Sequence, residues 1–221
     1  MGWLKSLTFV ISLVPLGWYA WGVRANSLGA NPIEAVTRGL GAWALNFLLI
    51  TLAITPLRHY AKWAWPINLR RLLGLYAFFY ASLHLTAYLW LDQFFDWMAV
   101  AKDIIKRPFI TVGMAAFLLL IPLAATSTDT AIRKLGGRRW QQLHRSVYAV
   151  SALAVLHYLW MVKADLKKPL IYATLLTLLL GLRLLRWLRR LRRLRRQQYG
   201  QRRTSHMTNP PPKLPGGGAS K

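Results

Sequence analysis

Three histidines stand in stretches that otherwise read as oil: His84 in "GLYAFFYASLHLTAYLW", and His144 and His157 in "LHRSVYAVSALAVLHYLW". An ionisable group inside an apolar span is expensive and normally faces a bundle interior or a cofactor, so each asks for a chemical reason. Neutral imidazole can relay protons or ligate iron. Relays usually enlist carboxylates, and all 6 acids of the chain fall outside the apolar stretches. Axial ligation of haem iron by two facing imidazoles uses histidines alone. With no cysteine in the chain, disulfides, iron–sulfur clusters, thiolate metal sites and covalent haem attachment are excluded, so any haem is a non-covalent b type. For His84 taken alone, two readings stand side by side. Gly74, Ala77 and Ala81 precede it at helical spacing, and such a stripe serves close helix packing as well as a groove for a flat cofactor. His59, among Arg58, Tyr60 and Lys62, and His206, in the tail, read as solvated.

Spacing narrows the choice. His144 and His157 are thirteen residues apart, about 20 Å along a helix at 1.5 Å per residue, so they sit near opposite ends of one span. His84 and His157 lie about equally far into two spans that start on the same side, which sets them at similar depth for one haem. His144 then needs a partner fourteen residues before His84, and that position is Arg70. Fourteen residues bring Arg70 within about 40° of the His84 face, whereas thirteen leave His144 and His157 about 140° apart, so the helix between them must bend or distort. Arginine is always protonated and a poor iron ligand, and pairing with a haem propionate suits it better. One haem is expected on His84 and His157, and a second on His144 with Arg70.

The elements that carry these residues are transmembrane. Of 221 residues 55% are hydrophobic and 11 are tryptophan, and Lys and Arg outnumber Asp and Glu by 30 to 6. Stretches of about 20 apolar residues suffice to cross a bilayer. Six can be placed, over about 4–23, 39–57, 72–91, 109–125, 143–162 and 169–185. The segment "DQFFDWMAVAKDIIKRP" mixes acids, bases and aromatics as an interfacial stretch does, and "TSTDTAIRKLGGRRW" reads as a loop. Lys and Arg concentrate on one side of the spans, with Arg58, Arg71, Arg133, Arg138 and the arginine-rich tail. The expected fold is therefore an all-α integral membrane protein, a six-transmembrane-helix haem-binding bundle with N and C termini cytoplasmic. Residues 1–187 form the bundle, 188–203 a basic amphipathic helical extension on anionic membrane lipids, and 204–221 a disordered Pro/Gly-rich tail. Since the charge of +24 gathers at span ends and in the tail, it answers to topology rather than to nucleic acid.

Certain stretches resemble the MsrQ (YedZ) family of haem-binding membrane subunits of the bacterial periplasmic methionine sulfoxide reductase system. They are "LLITLAITPLRHYA", "RRLLGLYAFFYASLHLTAYLW", "RPFITVGM", "ATSTDTAIRKLGGRRWQQLHRSVY", "LHYLWMVK" and "PLIYA". "RKLG" followed by "WQQLH" is the most specific of them, and the likeness runs from about Gly29 to Leu185. The resemblance implies a ferric-reductase-like bundle in the bacterial inner membrane. It implies that His84, His144 and His157 stand at haem-ligand positions, and Arg70 at an arginine suggested to serve a second haem. It further implies a periplasmic MsrP-like molybdopterin partner, an electron donor in the quinone pool or a cytosolic flavin reductase, and possible FMN or quinone binding.

Beside the resemblance, the residues exclude one donor arrangement. No G-x-G-x-x-G follows a strand and no soluble domain is large enough for NAD(P)H, so electrons come from another protein or a lipid-soluble carrier. A small transporter or channel with a histidine-lined path is the competing class, but it calls for broken helices at matched positions in two halves, and the prolines inside the spans, Pro15 and Pro122 among them, mark no such pair of halves. A non-redox anchor for a periplasmic enzyme is the third reading, in which the histidines merely pack.

Overall fold

The computed structural model describes residues 2–162 and 164–208, with side chains described as far as Arg195. Among these residues there are helices and turns and no strand. Residues 1–179 form one compact unit, and a second begins at Leu180.

In the first unit α1 spans Gly2–Arg24, α2 Pro32–Tyr60 and α3 Arg70–Ala87, which runs on into a π turn at Tyr88–Asp92. The short helix α4 (Trp97–Lys106) leads to α5 (Pro108–Ala125), then α6 (Asp129–Leu135), α7 (Gly137–His144) and α8 (Val147–Met161). The last helix, α9, covers Lys167–Thr208 and passes from the first unit into the second.

Among the described residues five helices are long and apolar enough to cross a membrane: Gly2–Arg24, Pro32–Tyr60, Trp65–Asp92, Pro108–Ala125 and Lys167–Arg195. The expected fifth span is divided. Arg145 and Ser146 form a turn between α7 and α8, held by Ser146 N–H and Oγ both donating to the Leu143 carbonyl. This leaves α8 with 15 residues, about 22 Å of helix. The turn is also the distortion that the angular mismatch between His144 and His157 demands.

Two helix pairs build the interior. α2 packs along α3 and α5 along α8, and α3 also meets α5. Leu45, Leu48, Leu52 and Ile54 of α2, Tyr76 and Tyr80 of α3, and Val150, Ser151 and Val155 of α8 are buried. Large apolar side chains on α1 (Trp3, Val10, Val14, Trp18) and on α9 (Leu170, Ile171, Leu178) are exposed, which suits a hydrocarbon surround rather than water. Two tyrosine hydroxyls fasten α1: Tyr76 donates to the Phe9 carbonyl, and Tyr80 donates to Ser12 O at 2.7 Å while accepting from Leu16 N–H at 3.2 Å. Tyr80 thus enters the α1 hydrogen-bond ladder beside Pro15, which is one of the recognised ways a helix is opened.

The connections depart from expectation in instructive ways. The second span begins earlier than about residue 39, because α2 starts at a capped turn where Asn31 accepts from Glu34 N–H, donates to its carboxylate, and is followed by Pro32 at the first helical position. The "TSTDTAIRKLGGRRW" segment, read as a loop, folds into α6 and α7: Thr128 caps α6 by accepting from Ala131 N–H, and Gly136, at φ +74°, joins the two helices in a conformation that suits glycine. The segment expected in the interface becomes α4, capped by Asp96, with Val100 buried and Trp97, Met98 and Ile105 exposed. The Pro/Gly-rich tail expected from residue 204 lies from residue 209 onward outside the described residues, and 204–208 belong to α9.

Candidate functional site

α3 and α8 bring two of the three histidines together. The rings of His84 and His157 have centroids 6.2 Å apart and planes at 70°. Each is held from behind by a helix of the other kind: His84 Nδ1 lies 2.8 Å from the Thr37 carbonyl of α2, and His157 Nδ1 lies 2.6 Å from the Phe109 carbonyl of α5. A carbonyl only accepts, so Nδ1 carries the proton in both rings and the lone pair is on Nε2. That is the tautomer a metal-binding imidazole needs, fixed by the partner of its other nitrogen.

A cavity opens between the pairs. Its walls are small or apolar, with Gly41, Ala44 and Leu48 from α2, Ala77 and Ala81 from α3, Gly113 and Phe117 from α5, and Ala154 from α8. Ala81 stands three residues before His84 and Ala154 three residues before His157, so small side chains flank both rings in the same register. One end of the cavity is polar. Arg38 and Arg107 line it, each paired with a carboxylate one turn earlier on its own chain segment: Arg38 with Glu34 at 2.5 Å, and Arg107 with Asp103 at 3.2 Å. Tyr88 O–H donates to the same Asp103. Thr37 Oγ1, also at the cavity, is buried without a hydrogen-bond partner among the described residues.

These residues fit a haem. Two imidazoles bound through Nε2 to opposite faces of one iron, with metal–nitrogen bonds of about 2 Å and ring centres about 1 Å behind each nitrogen, have centroids roughly 6 Å apart. Among the described residues no three His, Cys, Asp or Glu side chains gather as a metal cage. Two such imidazoles would leave the remaining positions of an iron to a planar ligand, and a cavity walled by small residues with arginines at its rim would suit a tetrapyrrole that carries carboxylates.

His144 is placed differently. It ends α7, outside the spans, with Trp140 stacked on it at 4.0 Å between ring centroids, and its Nε2 is 3.1 Å from Thr126 Oγ1. Trp140 N–H donates to the Thr126 carbonyl, which closes this small cluster. Burial, and then the positive charge of Arg70, lower its pKa and favour the neutral ring. Arg70 opens α3 and acts on His144 through charge. Neither residue lines the cavity between His84 and His157. His59 meets its neighbour Tyr60 edge-to-face, with ring planes at 81°, at an exposed helix end, in keeping with a solvated role. The carbonyls of Thr37 and Phe109, the glycines beside them and the polar rim were not picked out from the sequence.

A bundle of apolar helices with histidines on two of them defines a class of membrane protein, and the family described as "ferric reductase like transmembrane component" matches residues 38–155. Among curated proteins, the "Protein-methionine-sulfoxide reductase heme-binding subunit MsrQ" of Azospira oryzae is 59% identical over 181 residues, covering 81% of this chain and 78% of its own length. The protein of the same name from Herminiimonas arsenicoxydans is 54% identical, covering 81% and 84%. That from Xanthomonas euvesicatoria is 46% identical and covers 96% of this chain and 94% of its own. The chain belongs to the MsrQ family, within the ferric-reductase-like membrane proteins. No solved structure matches it.

Proposed function

We propose that this chain is a b-type cytochrome subunit that carries electrons across a bacterial inner membrane to a periplasmic methionine sulfoxide reductase. The observation that carries the reading is the opposed pair His84 and His157, 6.2 Å apart with both Nδ1 atoms occupied by carbonyls. The family membership and the relatives' names support it over a transporter or an inert anchor. A haem held there supplies reversible one-electron chemistry without consuming a proton.

The protein's own residues then do four things. His84 and His157 hold the iron, and the carbonyls of Thr37 and Phe109 fix their tautomers. Ala77, Ala81 and Ala154 keep the cleft open, while Arg38, Arg107 and Thr37 Oγ1 meet the anionic edge of the cofactor. His144 with Arg70 is the place for a second haem, supported by the family resemblance. In this reading Thr126 gives up its bond to His144 Nε2 when that site is filled.

Six spans cross the membrane, with α8 as the fifth, its short length suited to an interior position against α5 and α2. Both termini are cytoplasmic by the distribution of Lys and Arg. Residues 1–187 act as the haem bundle, 188–203 as a basic helical extension on anionic lipid, and 204–221 as a tail. The partner is an MsrP-like molybdopterin subunit, and the donor is the quinone pool or a cytosolic flavin reductase, with FMN or quinone as a carrier at the entry side. The test is reconstitution in liposomes. Haem reduced from the inner face should reoxidise when the periplasmic reductase and a methionine sulfoxide substrate are supplied outside. Reoxidation at the same rate without the reductase would reject the assignment.

A further inference from the structure

The two histidines are held by one device built twice, once in each helix pair. On α2 the carbonyl that receives His84 belongs to Thr37, four residues before Gly41, and a Cβ on Gly41 would stand 3.0 Å from His84 Nδ1 and 3.1 Å from its Cε1. On α5 the carbonyl that receives His157 belongs to Phe109, four residues before Gly113, and a Cβ there would stand 2.7 Å from His157 Nδ1 and 2.9 Å from its Cε1. In an α-helix the carbonyl of residue i already accepts from the N–H of residue i+4, here the glycine itself. Its second lone pair is free for another donor, but an ordinary side chain at i+4 would occupy the space through which the imidazole arrives.

We propose that Gly41 and Gly113 are positioning residues for the iron ligands. Each removes the one side chain that would keep an imidazole N–H from a helix carbonyl, and so sets the tautomer and ring plane of a histidine on the neighbouring helix. The inference rests on reading His84 and His157 as the ligands. Gly74, a helical glycine of α3, makes the contrast: a Cβ there meets only Thr51 Cγ2, at an ordinary 3.9 Å. Hydrogen bonding at Nδ1 makes the imidazole a stronger donor to the metal, which favours ferric over ferrous iron. Loss of the bond therefore raises the midpoint potential, and a turned ring alters the low-spin EPR line shape.

The experiment uses the full-length protein in nanodiscs, expressed with ample haem, as wild type, Gly41→Ala, Gly113→Ala and Gly74→Ala. Potentiometric titration, EPR and the rate of haem loss to an acceptor protein are read on each. Gly113→Ala should lose haem about 10- to 100-fold faster, the usual effect of removing an outer-shell partner, with a raised midpoint and a changed EPR line shape. Gly41→Ala should move the same way by less, and Gly74→Ala should match wild type. An unmoved midpoint and line shape in Gly113→Ala overturn the proposal. Should that variant not accumulate, Gly41→Ala decides by the same criterion. Wild-type protein without haem would defeat the ligand reading and this inference with it, whereas normal haem in the wild type with unmoved variants defeats the inference alone.

Discussion

Replacing Ala81 by leucine tests the cleft without touching a ligand. Ala81 lines the cavity one turn before His84 on α3, so a leucine there projects an isobutyl group onto the wall along which a flat cofactor must lie. Two effects act in the same direction. Accommodating the added carbons against a bound macrocycle costs about 1–3 kcal/mol by overpacking. In the cofactor-free protein the same side chain covers apolar wall and gains up to about 1.5–3 kcal/mol. Together they weaken haem binding by about 3–5 kcal/mol, or roughly two to four orders of magnitude in dissociation constant. Ala154→Leu, three residues before His157 on α8, should do the same, while Ala20→Leu on the exposed part of α1 should do nothing. The assay is haemin titration of apoprotein in nanodiscs followed by absorbance, with a pyridine haemochrome count on the protein as purified. Thermal unfolding of the apoprotein completes it, because the apo form of Ala81→Leu should melt at least as high as wild type. Full haem at the His84/His157 site in both variants would refute the placement of the macrocycle in this cavity.

Two further predictions concern what holds the bundle. Tyr80→Phe removes the hydroxyl that bridges Ser12 O and Leu16 N–H; it should cost about 1–2 kcal/mol, near the upper end for hydrogen bonds between membrane helices, seen as a lowered unfolding midpoint with an unchanged haem spectrum. A spectrum that changes with it would tie α1 to the site. Arg71→Ala breaks the Arg71–Asp129 pair, whose side chains are 47% and 69% exposed; the expected change is within about 0.5 kcal/mol, and a large drop in thermal stability would mean that this pair does more than its exposure allows.

How much of this was legible in the sequence follows from what each feature is made of. His84 and His157 stood out because an imidazole in hydrocarbon needs a reason, and their matching depth followed from the helical rise alone. The conflict in angle between His144 and His157 was legible too, but its resolution was not: the turn at Arg145–Ser146 contains no Gly or Pro and rests on backbone bonds to Gln141, Gln142 and Leu143. The segment that forms α6 and α7 reads as a loop because its Gly pair is a strong turn signal, whereas the helix start at Thr128 and Asp129 is a weaker one. The stripe before His84 serves both of its readings, since Ala77 and Ala81 line the cavity whereas Gly74 packs toward Thr51. The partners of Nδ1 were invisible for a plain reason. Every residue has a carbonyl, so nothing in the identity of Thr37 or Phe109 announces an acceptor. The only trace was a glycine four residues later in each case.

The most direct test compares the low-spin ferric EPR and reduced-minus-oxidised optical spectra of wild type, His84→Ala and His157→Ala, with haem-to-protein ratios measured on the same samples. Opposed ligation predicts that one and the same low-spin component disappears in both variants, and that its wild-type line shape carries the strong anisotropy of nearly perpendicular imidazole planes, as the 70° between the rings requires. If either variant keeps that component at full intensity, the two histidines do not share an iron, and the account fails at its centre.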